Sequence, residues 1–306
     1  MSVEHLQKDL HWMRLALAEA EKGWGYCSPN PMVGAVIVKN GELISSGYHQ
    51  SAGQAHAEIA ALQAAGTAAE GAELYVTLEP CSSWGKTPPC TDAIIKAKIK
   101  RTVIACLDKN PAHRGKAIEI LRSAGIETQT GILNAEAELL NEHFFWWIKQ
   151  KRPFVYLKMA MSLDGKIALQ DGSSKWITGS CARIYVQKLR RLAGAIMVGG
   201  NTLRNDDSGL KVVEPPNWQK QPKPFIWTEK EIENKYKIMQ GDEKPEICKP
   251  KTQQDWLCFL EMLGKNACNF LLLEGGGELA AAALHAGIVN KVGFFIAPKF
   301  ILGRDS

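Results

Sequence analysis

The feature that most constrains the fold is a set of three metal-binding side chains that the chain must bring to one point. They are His56, Cys81 and Cys90, and Glu58 follows the histidine two residues later. One imidazole and two thiols leave the fourth position of a tetrahedral zinc ion open, whereas a structural zinc site is normally closed by a fourth Cys or His. The glutamate could exchange a proton at that open position. The pattern predicts a catalytic zinc site that deaminates a ring amine.

The zinc-site residues are predicted at the ends of helices and strands. The histidine and the glutamate lie in the first turn of a predicted alanine-rich helix, Ala55–Ala65. A predicted strand, Glu73–Leu78, leads directly to the first cysteine, and the second stands beside the start of a predicted helix, Thr91–Lys98. A single closing helix is predicted over Asn134–Gln150. Strands that alternate with helices indicate an α/β layered domain.

A second α/β unit is predicted after a short linker, Lys151-Arg152-Pro153, because the residue before a proline disfavours helix. Within this unit, glycines 275–277 stand between a predicted strand, Phe270–Leu273, and a predicted helix, Glu278–His285. Such a turn lets backbone N–H groups approach a phosphate. Residues 214–265 show only weak periodicity and support no assignment. We therefore expect two domains, 1–150 and 153–306.

Composition restricts the partners. The chain has 306 residues and a formal net charge of +5, without a long Lys/Arg run. A nucleic-acid deaminase needs a basic track beside stacking aromatics, and Trp84, Trp146 and Trp147 have no such track. We find no secretory signal and no apolar run long enough to span a bilayer, so we expect a cytoplasmic protein that binds neither nucleic acid nor membrane. A nucleic-acid deaminase and a non-enzymatic zinc module stay as alternatives, and the oligomeric state is open, with a homo-oligomer as one option.

The chain resembles the bifunctional deaminase/reductases of riboflavin biosynthesis. The matching segments are Ser28–Gly34, His56–Glu58, Thr77–Cys90, Asp108–Pro111, Leu157–Lys166, Ser174–Thr178, Gly199–Asp207 and Glu274–Gly277. The resemblance implies a cytidine-deaminase-like three-layer domain followed by a dihydrofolate-reductase-like domain. It implies zinc-dependent deamination of a diaminopyrimidinone ribosyl phosphate, a small phosphorylated pyrimidine, and then NADPH-dependent reduction of its ribose to ribityl.

The same resemblance implies the residues of both sites. In the first domain Glu58 would be catalytic, and the zinc ligands would be His56, Cys81 and Cys90. Residues implied around the deaminase substrate are Asn30, His49, Lys86, Asp108 and Asn110. Residues implied around NADPH are Ala160, Trp176, Thr202, Asp206, Gly275, Gly276 and Gly277. Residues implied around the reductase substrate are Lys158, Ser174, Arg190, Leu210 and Glu274.

The second half departs from the family pattern in two places. Family members usually have a proline after the paired acids and an arginine a few residues on, whereas this chain has Ser208-Gly209-Leu210 and then Val213. One expected phosphate contact is therefore missing. The sequence also stops at Ser306, where family members continue, so a C-terminally truncated reductase domain is an option. The alternative function is an active deaminase whose second domain is impaired.

Overall fold

Two sheets organise the chain, one in each half. The computed structural model describes residues 3–84, 88–110, 113–169, 174, 177–241 and 243–302. Its contacts divide the chain into two compact units, Met1–Lys149 and Gln150–Ser306. Among the described residues, no helix is both long and apolar enough to cross a membrane.

In the first unit, helices pack against a mixed sheet. The helices are α1 (Val3–Glu21), α2 (Ala57–Ala65), α3 (Cys90–Lys96), α4 (Lys116–Ser123), α5 (Asn134–Leu140) and α6 (Glu142–Gln150). The strands are β1 (Gly34–Lys39), β2 (Glu42–Tyr48), β3 (Glu73–Leu78), β4 (Arg101–Cys106) and β5 (Glu127–Thr130). Their order is β2-β1-β3-β4-β5, with β1 antiparallel to both neighbours and β3, β4 and β5 parallel.

Helix α1 lies directly on the sheet. A Cβ atom at Gly34, the first residue of β1, would stand 2.0 Å from the carbonyl oxygen of Ala16. Only glycine permits this approach of helix to strand. A polar anchor fixes the same helix, because the buried carboxylate of Asp9 accepts hydrogen bonds from Arg101 and from the Tyr75 hydroxyl at 2.8 and 2.9 Å.

The predicted single helix over 134–150 is wrong, because the structure breaks it at Asn141. Asn141 is 1% exposed, and its side chain forms hydrogen bonds with the backbone of a loop that is distant in the sequence. Its Oδ1 accepts from the Met32 N–H and its Nδ2 donates to the Met32 carbonyl, each at 2.8 Å. Two otherwise unpaired backbone groups are thereby satisfied, which outweighs the continuation of one helix.

The second unit contains a parallel sheet. Its strands are β6 (Phe154–Ser162), β7 (Ala195–Gly199), β8 (Lys223–Trp227), β9 (Glu246–Cys248), β10 (Phe270–Glu274) and β11 (Lys291–Ala297), in the order β11-β6-β10-β7-β8-β9. Its helices are α7 (Ser180–Leu192), α8 (Gly200–Asp206), α9 (Gln253–Lys265) and α10 (Gly277–His285). All strand pairs are parallel. Central strands β7 and β10 are buried throughout, as expected for parallel strands covered on both faces.

Parallel pairing brings the carboxyl ends of neighbouring strands to one edge of each sheet. In the first unit Leu78 pairs with Cys106, so the segments after β3 and β4 leave the sheet side by side. In the second unit Lys158 pairs with Glu274 across β6 and β10. Ligands of open α/β sheets bind outside these carboxyl ends. Both groups of candidate residues lie at such an edge.

Candidate functional sites

The three candidate zinc ligands converge in the first unit. His56 caps the N-terminus of α2, and its Nδ1 lies 3.3 Å from Cys90 Sγ and 3.5 Å from Cys81 Sγ. A tetrahedral zinc ion with ordinary Zn–N and Zn–S bonds separates such atoms by about 3.6 Å. The donor types and their spacing therefore fit zinc. Within the described part of the chain, these three residues are the group of His, Cys, Asp and Glu side chains whose ligand atoms lie within 4.8 Å of one another.

The electrostatics of the cluster favour a thiolate at Cys81. A hydrogen bond from the Cys90 thiol lowers the pKa of Cys81 to about 4, and the Cys90 backbone N–H also donates to its sulfur at 3.2 Å. The same contact with Cys81 raises the pKa of Cys90. The hydrogen bond to Cys81 raises the pKa of His56. Thiolate is the form of sulfur that binds a metal.

Glu58 lies in the first turn of α2, beside the ligands. Its side chain is 3% exposed and is hydrogen-bonded to the Cys90 side chain. Burial raises the pKa of this carboxyl group, so it holds a proton more readily than an exposed glutamate. A carboxyl group tuned in this way suits proton transfer near neutral pH.

Two further predicted residues stand against the histidine ligand. The His49 and His56 rings meet edge to face, with their centroids 5.6 Å apart. His49 Nδ1 lies 3.0 Å from the Ala55 carbonyl oxygen, which requires a proton on Nδ1. In the neutral ring Nε2 is then an acceptor, and Asn30 Nδ2 donates to it at 3.0 Å. The structure thus joins Asn30 and His49 in one row with His56.

The loop after β4 carries Asp108 and Asn110. It is held in place by Glu79, a residue that the sequence did not predict as part of the site. The buried carboxylate of Glu79 accepts from the backbone N–H groups of Asp108, Gly115 and Ala117 at 3.1, 3.0 and 3.2 Å. Asp108 in turn accepts from the Asn110 N–H at 2.8 Å. The signal for Glu79 was a charged residue directly after a largely apolar strand, Glu73–Leu78. Lys86 lies outside the described residues.

In the second unit the predicted residues share one cavity of about 1020 Å³. Its lining includes Lys158, Ala160, Ser174, Arg190, Thr202, Asp206, Leu210, Glu274, Gly275, Gly276 and Gly277. Apart from Ser174 and Leu210, which lie outside the helices and strands, they come from β6, from β10 and the turn after it, and from helices α7, α8 and α10. Trp176 lies outside the described residues.

The glycine turn after β10 is built for close approach to a ligand. Gly275 and Gly276 have φ angles of +68° and +83°, a region that favours glycine. A Cβ atom at Gly276 would stand 2.6 Å from Thr202 Oγ1. Helix α10 begins at Gly277, so its first N–H groups face the same turn. This cradle fits a phosphate group of a dinucleotide.

A buried charged trio stands beside the turn. Arg190 donates to both carboxylate oxygens of Glu274, at 2.6 and 2.8 Å, and to the Lys211 carbonyl at 2.9 Å. The paired hydrogen bonds that suit arginine to a phosphate are thus made to Glu274 in this structure. Burial raises the pKa of Glu274, but Arg190 more than offsets this and lowers it overall. Burial lowers the pKa of Lys158 despite the nearby glutamate.

The remaining residues lie in the segment before α7 and at or after the end of α8. Ser174 Oγ lies 2.7 and 2.8 Å from the two carboxylate oxygens of Asp206. Leu210 is 2% exposed and has a φ of +52°, a strained conformation for leucine. Val213, which stands where the family pattern has arginine, lines the same cavity with its side chain 65% exposed.

The fold and the two sites define a deaminase domain with a cysteine–histidine metal site, followed by a reductase domain. Residues 6–106 match the family model described as the cytidine and deoxycytidylate deaminase zinc-binding region, and residues 153–305 match the RibD C-terminal domain.

Similar proteins cover nearly the whole chain. The riboflavin biosynthesis protein RibD of Aquifex aeolicus is 44% identical over 96% of this chain and 88% of its own length. The structure of Acinetobacter baumannii RibD has a TM-score of 0.87 at 39% identity, covering 98% of this chain and 89% of that one. A deaminase/reductase from Thermotoga maritima gives 0.87 at 34% identity, covering 98% and 90%.

The chain belongs to the RibD family of riboflavin biosynthesis proteins and is a bifunctional deaminase and reductase. The predicted family, fold class and pair of activities are confirmed. A non-enzymatic zinc module is therefore ruled out.

Proposed function

We propose that the first domain, 1–150, deaminates a diaminopyrimidinone ribosyl phosphate and that the second, 153–306, reduces the ribose of the product to a ribityl chain. The observation that carries this proposal is the convergence of His56, Cys81 and Cys90 around one point beside a buried glutamate. The Thermotoga maritima protein is named as a diaminohydroxyphosphoribosylaminopyrimidine deaminase and 5-amino-6-(5-phosphoribosylamino)uracil reductase. The product of the first reaction is thus the substrate of the second.

In the deaminase, His56 would hold zinc through Nδ1, together with Cys81 and Cys90. A zinc ion bound there supplies Lewis acidity, which lowers the pKa of a coordinated water. Glu58 carries the proton: it takes one from the attacking water and delivers it to the amino group that leaves as ammonia. Its burial excludes bulk water from that transfer and keeps the proton on the carboxyl group between the two steps.

The substrate of the deaminase would lie over the row formed by Asn30 and His49 and the loop of Asp108 and Asn110. The Asn30–His49 hydrogen bond fixes both side chains, so the Asn30 amide oxygen can meet a pyrimidine edge without rearrangement. The Glu79 carboxylate fixes the backbone of the loop. We extend the proposed pocket to Lys86.

In the reductase, the glycine turn and the start of α10 would hold a phosphate of NADPH. Ala160, Thr202, Asp206 and Trp176 complete the proposed cofactor contacts. NADPH supplies a hydride when it is bound. Lys158 would deliver the proton that opening of the ribose ring requires, because its buried ammonium gives up a proton more readily than an exposed one.

The substrate of the reductase would lie between Lys158 and the residues on α7 and the following loops. Arg190 and Glu274 hold each other in place, so the guanidinium presents a fixed positive charge to the phosphate of the substrate. Ser174 and Leu210 complete this side of the cavity.

A Glu58→Gln variant tests the deaminase. It should retain zinc, because the ligands are unchanged, and it should release ammonia about a hundredfold to ten-thousandfold more slowly. Reduction of the deaminated substrate by the same chain should be unchanged, which controls for folding. Glu42→Gln, an exposed residue of β2, is the matched control. Unchanged ammonia release would contradict the assigned role of Glu58.

Incubation of the whole chain with the diaminopyrimidinone substrate tests the order of the reactions. Without NADPH, the deaminated ribosyl compound should accumulate. With NADPH, it should be replaced by the ribityl compound. Failure to form the ribityl compound from the purified intermediate would leave only the first activity.

A further inference from the structure

The far end of the reductase cavity holds a cluster of donors that the proposed contacts do not use. We call it the Arg204 cluster: Gly200, Arg204, Thr228 and Lys230, all of which line the cavity. A Cβ atom at Gly200 would stand 2.7 Å from Thr228 Cβ and 3.3 Å from Arg204 Nη1. The missing side chain therefore lets the guanidinium and the threonine hydroxyl come close together.

Two side chains of the cluster can donate further hydrogen bonds. Arg204 Nη1 donates to Asn201 Oδ1 at 2.9 Å, but Nη2 is buried and has no hydrogen-bond partner among the described residues. Thr228 Oγ1 accepts from the Lys230 backbone N–H at 3.1 Å, which leaves the hydroxyl hydrogen available. A buried guanidinium N–H without an acceptor is costly, and such groups normally mark a missing partner.

The acidic neighbours of the cluster are already paired. Glu229 forms ion pairs with Lys251 and, at 3.6 Å, with Lys249. Glu278 accepts from Asn201 Nδ2 at 3.2 Å. Across the described ranges, neither carboxylate forms an ion pair with Arg204 or Lys230, so the cluster keeps its positive charge and suits an anion.

The sheet order shows which part of a dinucleotide reaches the cluster. The strands run β6-β10-β7-β8, with the glycine turn after β10. Lys158 and Glu274, proposed to face the substrate, lie on β6 and β10, whereas Thr228 and Lys230 follow β8. A dinucleotide with its phosphates at the turn and its nicotinamide toward Lys158 must extend its adenosine half toward β8.

We propose that Arg204 and Lys230, with the Thr228 hydroxyl between them, bind the 2′-phosphate of the adenosine ribose and select NADPH over NADH. This inference rests on the proposed reductase function. The two cofactors differ only in that phosphate, and a guanidinium can donate paired hydrogen bonds to it.

Binding titrations on the full chain test the inference. The probes are NADPH against NADH, and 2′,5′-ADP against 5′-AMP, followed by fluorescence or calorimetry. Arg204→Gln and Lys230→Gln should each weaken binding of the 2′-phosphorylated probes about tenfold to a hundredfold, as loss of a charged hydrogen bond predicts, with the other probes unchanged. Arg204→Lys should retain part of the preference. Lys265→Gln, an exposed residue of α9 outside the cavity, should change nothing.

Several results would overturn the inference. Equal weakening of NADPH and NADH in the variants would show that the cluster does not touch the 2′-phosphate, and so would no effect on either. A loss of ribose 5-phosphate binding in Arg204→Gln, with NADPH binding intact, would assign the cluster to the substrate phosphate. If the wild-type chain binds both dinucleotides equally, only the selection of NADPH over NADH is refuted. If it binds neither, the proposed reductase cofactor is refuted as well.

Discussion

Replacing Glu79 with alanine should impair the deaminase and spare the reductase of the same chain. The Glu79 carboxylate is 7% exposed and accepts three backbone N–H groups from the segment 108–117. The Ala117 N–H is buried and would lose its acceptor, whereas the N–H groups of Asp108 and Gly115 lie in a partly exposed loop and would regain water. We therefore expect a cost of about 2–4 kcal/mol, near one charged hydrogen bond plus one unpaired N–H, rather than the sum of three bonds.

The lost hydrogen bonds destabilise the closed conformation of the loop. The sheet beneath the loop is unaffected, because it keeps its contacts. With the loop open, Asp108 and Asn110 no longer hold one position. The KM of deamination should rise about tenfold or more, in line with a loss of a few kcal/mol in the closed loop. Glu79→Gln should have a smaller effect, since its amide oxygen can still accept while its NH₂ faces one N–H donor.

Steady-state kinetics of both activities and amide hydrogen exchange over 107–117 measure the effect. Exchange in that segment should accelerate in Glu79→Ala, and the kinetics of the NADPH-dependent reaction should stay at the wild-type values. Glu119→Ala, an exposed glutamate of α4, is the matched control. Loop exchange and a KM of deamination that both match wild type would contradict this role of Glu79. A parallel fall of both activities would contradict it too, since that would show general unfolding.

Three other changes give distinct readouts. Gly276→Ala should lower NADPH affinity more than tenfold while the deaminase keeps full activity, because the new Cβ meets a threonine hydroxyl at 2.6 Å where φ is +83°; dinucleotide titration measures it, and unchanged affinity would refute the cradle. Asn141→Ala should destabilise the first unit by about 2–5 kcal/mol, because both backbone groups of Met32 lose their partners; urea unfolding measures it, and a loss under about 1 kcal/mol would contradict it. Burial raises the pKa of Asp9, but its hydrogen bonds to Arg101 and to a tyrosine lower it overall, so its stabilisation is complete above pH 4 and is lost as the pH falls through the lowered pKa. Asp9→Asn should therefore unfold at a lower temperature than wild type at pH 7, with the difference shrinking below about pH 4; a constant difference would exclude the ion pair as its cause.

The zinc cluster was predictable because each ligand stands at a local boundary. The end of a strand, a Pro-Cys step and the start of an alanine-rich helix are all visible in the sequence, and the packing of α2 against α3 brings the three ligands together. The helix break at Asn141 was not predictable, since its cause is a loop 109 residues away. The pairing of Arg190 with Glu274 likewise joins residues 84 apart. Strands β8 and β9 were missed because they are short, and prolines and lysines within and around them hide any alternation.

The pairing of β6 with β10 also restricts how sequences of this kind can change in length. Lys158 stands opposite Glu274, and the next residues along these strands lead to Ala160 and to the glycine turn. One inserted or deleted residue in either strand would turn alternate side chains to the opposite face and misalign the two proposed ligand sites at once. Gaps among relatives should therefore collect between β8 and α9, where loops can absorb them, and be absent from these two strands.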